Sequence, residues 1–353
     1  KMSSDLRAGP QACLMRFGPI WSNRLAARAA WQGKSEMTVR IAVLGCGYWG
    51  GNHIRTLSGL GALHAVSDSN KPRAEALARE YKCLSVDPSE LFDHPEIDAI
   101  IMALPPQHHA EAAIRAVKAG KDVLVEKPIA LSVPDAKAAV KAARDAGRVF
   151  MVGHVLRFHP AFEKLQDLIA NDELGAVRYI HSNRLGLGKF HTENDALWDL
   201  APHDLSMILA ITGEAPVEVQ GQGSALLDHL SDFAHVHMRF PGGIRSHLFA
   251  SRLNPYRERR LTVVGTKAMA VFDDVADWDK KLAIYRHAVW QDNGQWAFTA
   301  QEPNYIPIRE GLPLTAEDQH FIDCVRTRAE PRTGGDEAIR VLEILTAGTV
   351  RHD

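Results

Sequence analysis

From Thr38 onward, short β-branched runs alternate with stretches whose apolar residues recur at helical spacing, the pattern of βαβ units around a parallel sheet. The predicted strands are Val39 to Leu44, Leu63 to Ser67, a short one near Leu84, Ile97 to Leu104, Val123 to Val125 and Val149 to Val152. Helices fall between them. The one after Ser132 carries the fullest set of signals: Ser132 as N-cap, Pro134 and Asp135 in the first turn, alanines inside and Gly147 at its end. Gly120 closes the preceding helix in the same way. After Gly153 the pattern changes to a helix from Pro160, a strand from Val177 to Arg184, a helix from about Pro202, and a strand-rich region from Val217 to about Arg286. Within that region Phe233 to Phe240 and Ile244 to Ser251 flank Pro241-Gly242-Gly243 and predict a hairpin. Two helices, from Thr315 and from Gly335, finish the chain. The expected fold is α/β: a doubly wound parallel sheet followed by an α+β domain with a large, mostly antiparallel open sheet.

A chain of 353 residues suits two domains, each with its own core. The pattern divides it into a dinucleotide-binding domain at 37–155 and a substrate-binding and oligomerisation domain at 156–353. Residues 1–36 are Arg-rich and acid-poor, contain Trp21 and Trp31 without a strand signal, and are expected to lie outside the fold. An open sheet needs covering on its second face, so a homodimer or homotetramer is expected.

Composition narrows the partners. A formal net charge of -2 and the lack of a Lys/Arg run provide no field for a phosphate backbone, which argues against nucleic acid. No apolar stretch approaches the ~20 residues that a membrane-spanning helix requires. The cysteines, Cys13, Cys46, Cys83 and Cys324, form no C-x-x-C pair, which fits reduced thiols in a cytoplasm. The 17 histidines show no metal-ligand spacing, and no metal is expected.

Gly45-Cys46-Gly47-Tyr48-Trp49-Gly50 is a G-x-G-x-x-G that leaves a predicted strand and opens a predicted helix. Its glycines permit a tight turn and let the backbone approach a pyrophosphate at the helix N-terminus, as in a Rossmann domain. Asp68 ends the second strand, where its carboxylate can accept hydrogen bonds from a ribose 2′-hydroxyl and repel the 2′-phosphate of NADP. NAD is therefore the expected cofactor.

With these residues in place, the sequence from about Thr38 to its C-terminus resembles the glucose-fructose oxidoreductase and inositol dehydrogenase (Gfo/Idh/MocA) family. Leu104-Pro105-Pro106-Gln107-His108-His109 resembles the family segment after the fourth strand, with His109 in the place of its recurrent histidine. Gly120 to Pro128 contains the family's Glu-Lys-Pro signature as Glu126-Lys127-Pro128. Asp199-Leu200-Ala201-Pro202-His203 resembles its D-x-x-x-H pair, and Glu317 to Arg326 its C-terminal helix. The resemblance implies that Leu104, Pro105, His109, Glu126 and Lys127 join Gly45, Gly47, Tyr48, Trp49, Gly50 and Asp68 around the cofactor. It further implies that Lys127 touches both nicotinamide ribose and substrate while Asp199 and His203 handle the proton. One departure is Leu156, where many members have Asn before the Arg157-Phe158 pair. Arg157 is either a substrate or cofactor ligand or an interdomain salt bridge.

The residue chemistry agrees with that implication. Hydride departure from a secondary alcohol requires loss of the hydroxyl proton and stabilisation of the developing alkoxide. Lys127 follows the fifth parallel strand, at the carboxyl ends where open α/β sheets bind ligands. Opposite charges about 4 Å apart interact there by about 4 kcal/mol. His203 is the candidate base whose ordinary pKa lies near working pH. With a helix starting near Pro202, the expectation is that the helix dipole keeps His203 neutral and that Asp199 meets it across the helix entrance.

The stretch Asn183 to Phe190, with Trp198 to Asp204, looks like a branch acting on UDP-activated N-acetyl amino sugars at C3, with Arg157 and Arg184 as diphosphate ligands or ordinary surface groups. A free sugar or inositol dehydrogenase, and an NAD-dependent redox-neutral glycosidase, are the alternatives.

Overall fold

The computed structural model describes residues 38–188, 190 and 194–349; the expected extension at 1–36, with Trp21, Trp31 and Cys13, lies outside them, as does Lys189. Six parallel strands, β1 (Ile41–Leu44), β2 (Leu63–Ser67), β3 (Leu84–Ser85), β4 (Ala99–Met102), β5 (Asp122–Glu126) and β6 (Phe150–Gly153), form a sheet in the order β3-β2-β1-β4-β5-β6. The order reverses between β1 and β4, and that switch opens a crevice beyond the strand carboxyl ends.

Both faces of this sheet are buried, which is why its strands read as continuous apolar runs. Ile41, Val43, Ile101, Leu124 and Met151 face one side, where α1 (Tyr48–Gly59), α2 (Lys71–Tyr81) and α7 (Pro313–Thr327) pack. Ala42, Leu44, Ile100, Val123 and Val152 face the other, under α3 (His109–Lys118) and α4 (Val133–Asp145). The Ser132 cap is present: its hydroxyl accepts the Asp135 N–H at 3.2 Å and donates to that carboxylate at 2.6 Å. Because α7 comes from the far end of the chain, the face that backs the glycine loop is completed by residues more than 250 positions away from it.

The second sheet has eight strands in the order β16-β13-β12-β11-β7-β10-β9-β8. They are β7 (Val177–Leu185), β8 (Glu218–Ser224), β9 (Phe233–Arg239), β10 (Arg245–Ser251), β11 (Glu258–Gly265), β12 (Met269–Asp273), β13 (Leu282–Tyr285) and β16 (Asn304–Tyr305). Only the β7–β10 pair is parallel. The predicted hairpin is β9–β10, turned by Gly242 and Gly243 at φ 72° and 90°, a region that glycine enters without strain. Helices α5 (Pro160–Ala170), α6 (Ala196–Thr212) and α8 (Gly335–Gly348) cover one face. On the opposite face, for which the sequence predicts a second copy, imidazoles of His181, His247 and His237 stack at 5.4 and 4.5 Å.

Two elements differ from the sequence expectation. Helix α6 starts at Ala196, not near Pro202: Asp195 caps it by accepting the Trp198 N–H at 2.8 Å, and Pro202 sits inside. The proline merely leaves the Trp198 carbonyl without its usual helical donor. Beyond Arg286, β14 (Ala288–Asp292) and β15 (Gln295–Thr299) form a separate hairpin about Asn293-Gly294, both in the left-handed region. No described helix is long and apolar enough to cross a membrane, and no described cluster of His, Cys, Asp and Glu could hold a metal ion.

Candidate active site

A cavity of about 1560 Å³ runs along the strand carboxyl ends of the first sheet to the ends of β7, β10 and β11 in the second. That exceeds the volume of a single drug-sized ligand and suits a dinucleotide with a substrate beside it.

At one end lies the glycine loop. Gly45, at φ 95°, carries no Cβ because one would stand 2.4 Å from the Ala103 carbonyl oxygen. A Cβ on Gly50 would lie 1.7 Å from the Gly45 carbonyl oxygen, so Gly50 closes the turn from behind while Gly47, Tyr48 and Trp49 line the cavity. Helix α1 has no side-chain cap and no acid in its first turn, which leaves its positive end for an anion from the cavity. Asp68 is held by the loop itself: its carboxylate accepts the Cys46 N–H at 2.6 Å and the Asn70 N–H at 2.7 Å. Arg73 Nη1 lies 3.9 Å from the same carboxylate. These residues fit a nicotinamide dinucleotide.

Leu104 and Pro105 line the cavity after β4, but His109 does not. Its buried ring contacts the Leu104 carbonyl at 2.8 Å and the Pro128 carbonyl at 2.7 Å, so it ties two strand-end loops together behind the wall. Arg157 is likewise off the cavity. It is buried, its guanidinium lies 2.6 Å from the Glu337 carboxylate on α8, and that contact is the salt bridge the sequence left open. Neither residue lines the cavity in this structure: each meets a buried partner, at a polar position that burial would otherwise penalise, and for Arg157 this is the salt-bridge alternative.

Lys127, Asp199 and His203 all line this cavity. Lys127 Nζ donates to the Asp199 backbone carbonyl at 2.9 Å and stands 3.6 Å from its carboxylate. Asp199 and His203 project from one side of α6, four residues apart. His203 borders the cavity, while its Nδ1 is sealed from water and meets no partner. Burial, then the charges of Lys127 and Arg184, with His154 and Arg259, hold its ionisation well below the ordinary imidazole value. The expected helix-dipole effect is corrected here, since His203 lies in the third turn of α6 and not at its start.

The second sheet and its adjoining loops bring to the cavity Arg184, named from the sequence, and three arginines that the sequence did not single out, Arg252, Arg257 and Arg259. Arg184 and Arg252 are buried against Asp204 and Asp232, and Arg259 stands 3.8 Å from Asp274. Burial and the like charges of Arg184 and Arg257 make Arg259 easier to deprotonate than an ordinary arginine, a sign of crowded cations. For Arg257 and Arg259 the sequence signal was the Arg257-Glu258-Arg259-Arg260 run at the start of β11.

The family profile for oxidoreductases with an NAD-binding Rossmann fold matches residues 39–154, and that of the GFO/IDH/MocA C-terminal domain matches residues 162–271. The chain belongs to the GFO/IDH/MocA oxidoreductase family. It is similar to the UDP-N-acetylglucosamine 3-dehydrogenase of Acidithiobacillus ferrooxidans, 32% identical over 86% of this chain and 94% of that protein. It is also similar to the scyllo-inositol 2-dehydrogenase (NAD(+)) of Bacillus subtilis, 30% identical over 89% and 94%. A solved structure of the Acidithiobacillus enzyme superposes with a TM-score of 0.76 at 28% identity, covering 87% of this chain and 95% of that one. As a GFO/IDH/MocA member the chain is an oxidoreductase of the kind that acts on CH–OH groups, and both of its sheets have counterparts in that family.

Proposed function

We propose that this GFO/IDH/MocA protein is an NAD-dependent dehydrogenase of a nucleotide sugar, oxidising the C3 carbinol of a UDP-N-acetyl amino sugar such as UDP-N-acetylglucosamine. The observation that carries the reading is that the cavity holding Lys127 and His203 is also lined by Arg257 and Arg259, with Arg184 and Arg252, in a volume of about 1560 Å³. A neutral inositol gives those cations nothing to bind, whereas a diphosphate meets them with charge-assisted hydrogen bonds. The similarity to the UDP-N-acetylglucosamine 3-dehydrogenase supports the same choice.

Bound in the cavity, the nicotinamide supplies the hydride acceptor. The protein's part is to hold the alcohol oxygen near Lys127 Nζ, whose charge favours alkoxide, and to receive the hydroxyl proton on His203 at Nε2, opposite the sealed Nδ1. Asp199 holds Lys127 in place through its carbonyl and its carboxylate.

NADH formation over a panel of UDP-N-acetylglucosamine, N-acetylglucosamine and inositols tests the substrate. Stoichiometric NADH with the nucleotide sugar is expected, and Arg257→Ala or Arg259→Ala should lower kcat/KM for it about tenfold without changing the KM for NAD. Turnover of an inositol with none of the nucleotide sugar would overturn the assignment. Product formation without NADH accumulation would turn it towards a redox-neutral reaction.

The preference for NAD over NADP rests on Asp68. Asp68→Ser should narrow the NAD:NADP ratio of kcat/KM by about 10- to 100-fold, because the repelling carboxylate is gone and Arg73 is released to meet a 2′-phosphate. A native enzyme that already uses NADP as well as NAD would contradict this role.

A further inference from the structure

Where α1, β5 and α7 converge, four ionisable side chains are packed together with almost no access to water: His53, Glu126, Glu317 and Asp318. His53 Nδ1 lies 2.9 Å from Asp318 Oδ1 and its Nε2 lies 3.0 Å from Glu126 Oε1. A neutral imidazole has one N–H and one lone pair, so with both acids ionised one carboxylate would face a lone pair, and only the imidazolium donates to both. Burial opposes that charge, but Asp318 and Glu126 outweigh it and hold the His53 ionisation well above its ordinary value.

Glu126 carries the contact onward. Its Oε2 accepts the backbone N–H of Lys127 at 3.1 Å, and its carboxylate lies so close to Gly153 that a Cβ there would come within 3.1 Å. Glu317 differs: both of its oxygens are buried without a partner, and burial, then the Glu126 charge, push it well above the usual carboxylate range. With Glu317 a neutral acid, Glu126 and Asp318 are the two acids that meet His53; burial raises the Asp318 ionisation, and the contact with His53 pulls it part of the way back down. His109 of α3 and His154 after β6 also face Glu126, and burial lowers the ionisation of both, to about 4 for His154, so neither adds a charge.

We propose that His53, clamped as an imidazolium between Asp318 and Glu126, is a positioning residue that holds the helix facing the dinucleotide in register with the backbone that aims Lys127. This rests on the role of Lys127 given above. Helix α1 presents Gly47, Tyr48 and Trp49 to the cavity from the end of the same rod that His53 anchors. His53 and Asp318 are fully buried, while Glu126 reaches from them to the cavity wall, so the His53 end of the chain of contacts is shielded from competing water.

The test uses the full-length protein with Asp318→Asn, His53→Gln and Glu317→Gln. Nitrogen-15 spectra of histidine-labelled protein should show one ring protonated on both nitrogens at neutral pH, a signal lost in His53→Gln. In Asp318→Asn one carboxylate is gone and the imidazolium becomes easier to deprotonate. NADH affinity, read by tryptophan fluorescence, and kcat should therefore fall together about tenfold between about pH 6 and about pH 9, and recover on acidification. The wild type should lack this limb, and Glu317→Gln should follow the wild type because an amide replaces a neutral acid. A purely structural role would lower activity or melting temperature equally at every pH. An Asp318→Asn profile parallel to the wild type, or a neutral His53 ring, overturns the proposal; an affinity limb without a matching limb in kcat overturns the link to Lys127. Because NADH binding is read without any sugar, a wrong substrate assignment shows only in the panel above.

Discussion

Replacing Lys127 by Ala is expected to lower kcat about 10³-fold while NADH still binds. The magnitude follows from the attraction between an ammonium and a developing alkoxide, about 4 kcal/mol at an effective dielectric near 20, which is about three decades of rate. The loss should fall on kcat and kcat/KM together, because the charge on the alkoxide exists only as the reaction proceeds. Fluorescence titration with NADH separates this from a collapse of the cofactor site. Near-normal turnover, or NADH affinity lost in proportion to rate, would remove Lys127 from the chemistry.

His203→Ala should cost about 10²- to 10⁴-fold in the oxidation direction, the range for a positioned base. The pH dependence carries the sharper expectation. Only the neutral imidazole accepts the hydroxyl proton, so kcat/KM rises with pH through the His203 ionisation and then levels off. Burial and then the charge of Lys127 place that ionisation well below the ordinary imidazole value, so the plateau should be reached before neutrality. Asp199→Asn removes a negative charge beside Lys127 and should move the limb further towards acid, while slowing the reaction because Lys127 loses its ion-pair partner. The residual activity of Lys127→Ala should show the limb displaced in the opposite direction. If the acid limb persists unchanged in His203→Ala, another group is the base.

The glycine loop, Asp68 and Lys127 were legible because their placement depends on short-range rules. A glycine-rich turn between strand and helix, an acid at a strand end and a cation just past another strand need only the alternation of βαβ units to find one crevice. The start of α6 was not legible. Pro202 is a fair first residue of a helix by local preference, and Asp195 is a fair N-cap by local preference, so local signals do not choose between the two starts. The apolar contacts of Ala196, Leu197 and Ala201 extend the helix through the proline, and the electrostatic account of His203 changes with it. His109 and Arg157 show a different limit. Their residue types suit a ligand contact, but whether a side chain points into a cavity or towards a carbonyl or carboxylate behind it depends on residues such as Pro128 and Glu337.

By itself the sequence determined the element order, the doubly wound first sheet with its loop, and the largely antiparallel second sheet, because periodicity, turn residues and caps act over a few neighbouring positions. Tertiary structure alone decided which polar groups share a space: the arginines of β7, β10 and β11 opposite Lys127, and the charges of α1, β5 and α7 around His53. Those groupings join residues as much as 265 positions apart, as His53 and Asp318 are, and their ionisation follows from burial and neighbouring charge, neither of which exists until the chain has closed on itself.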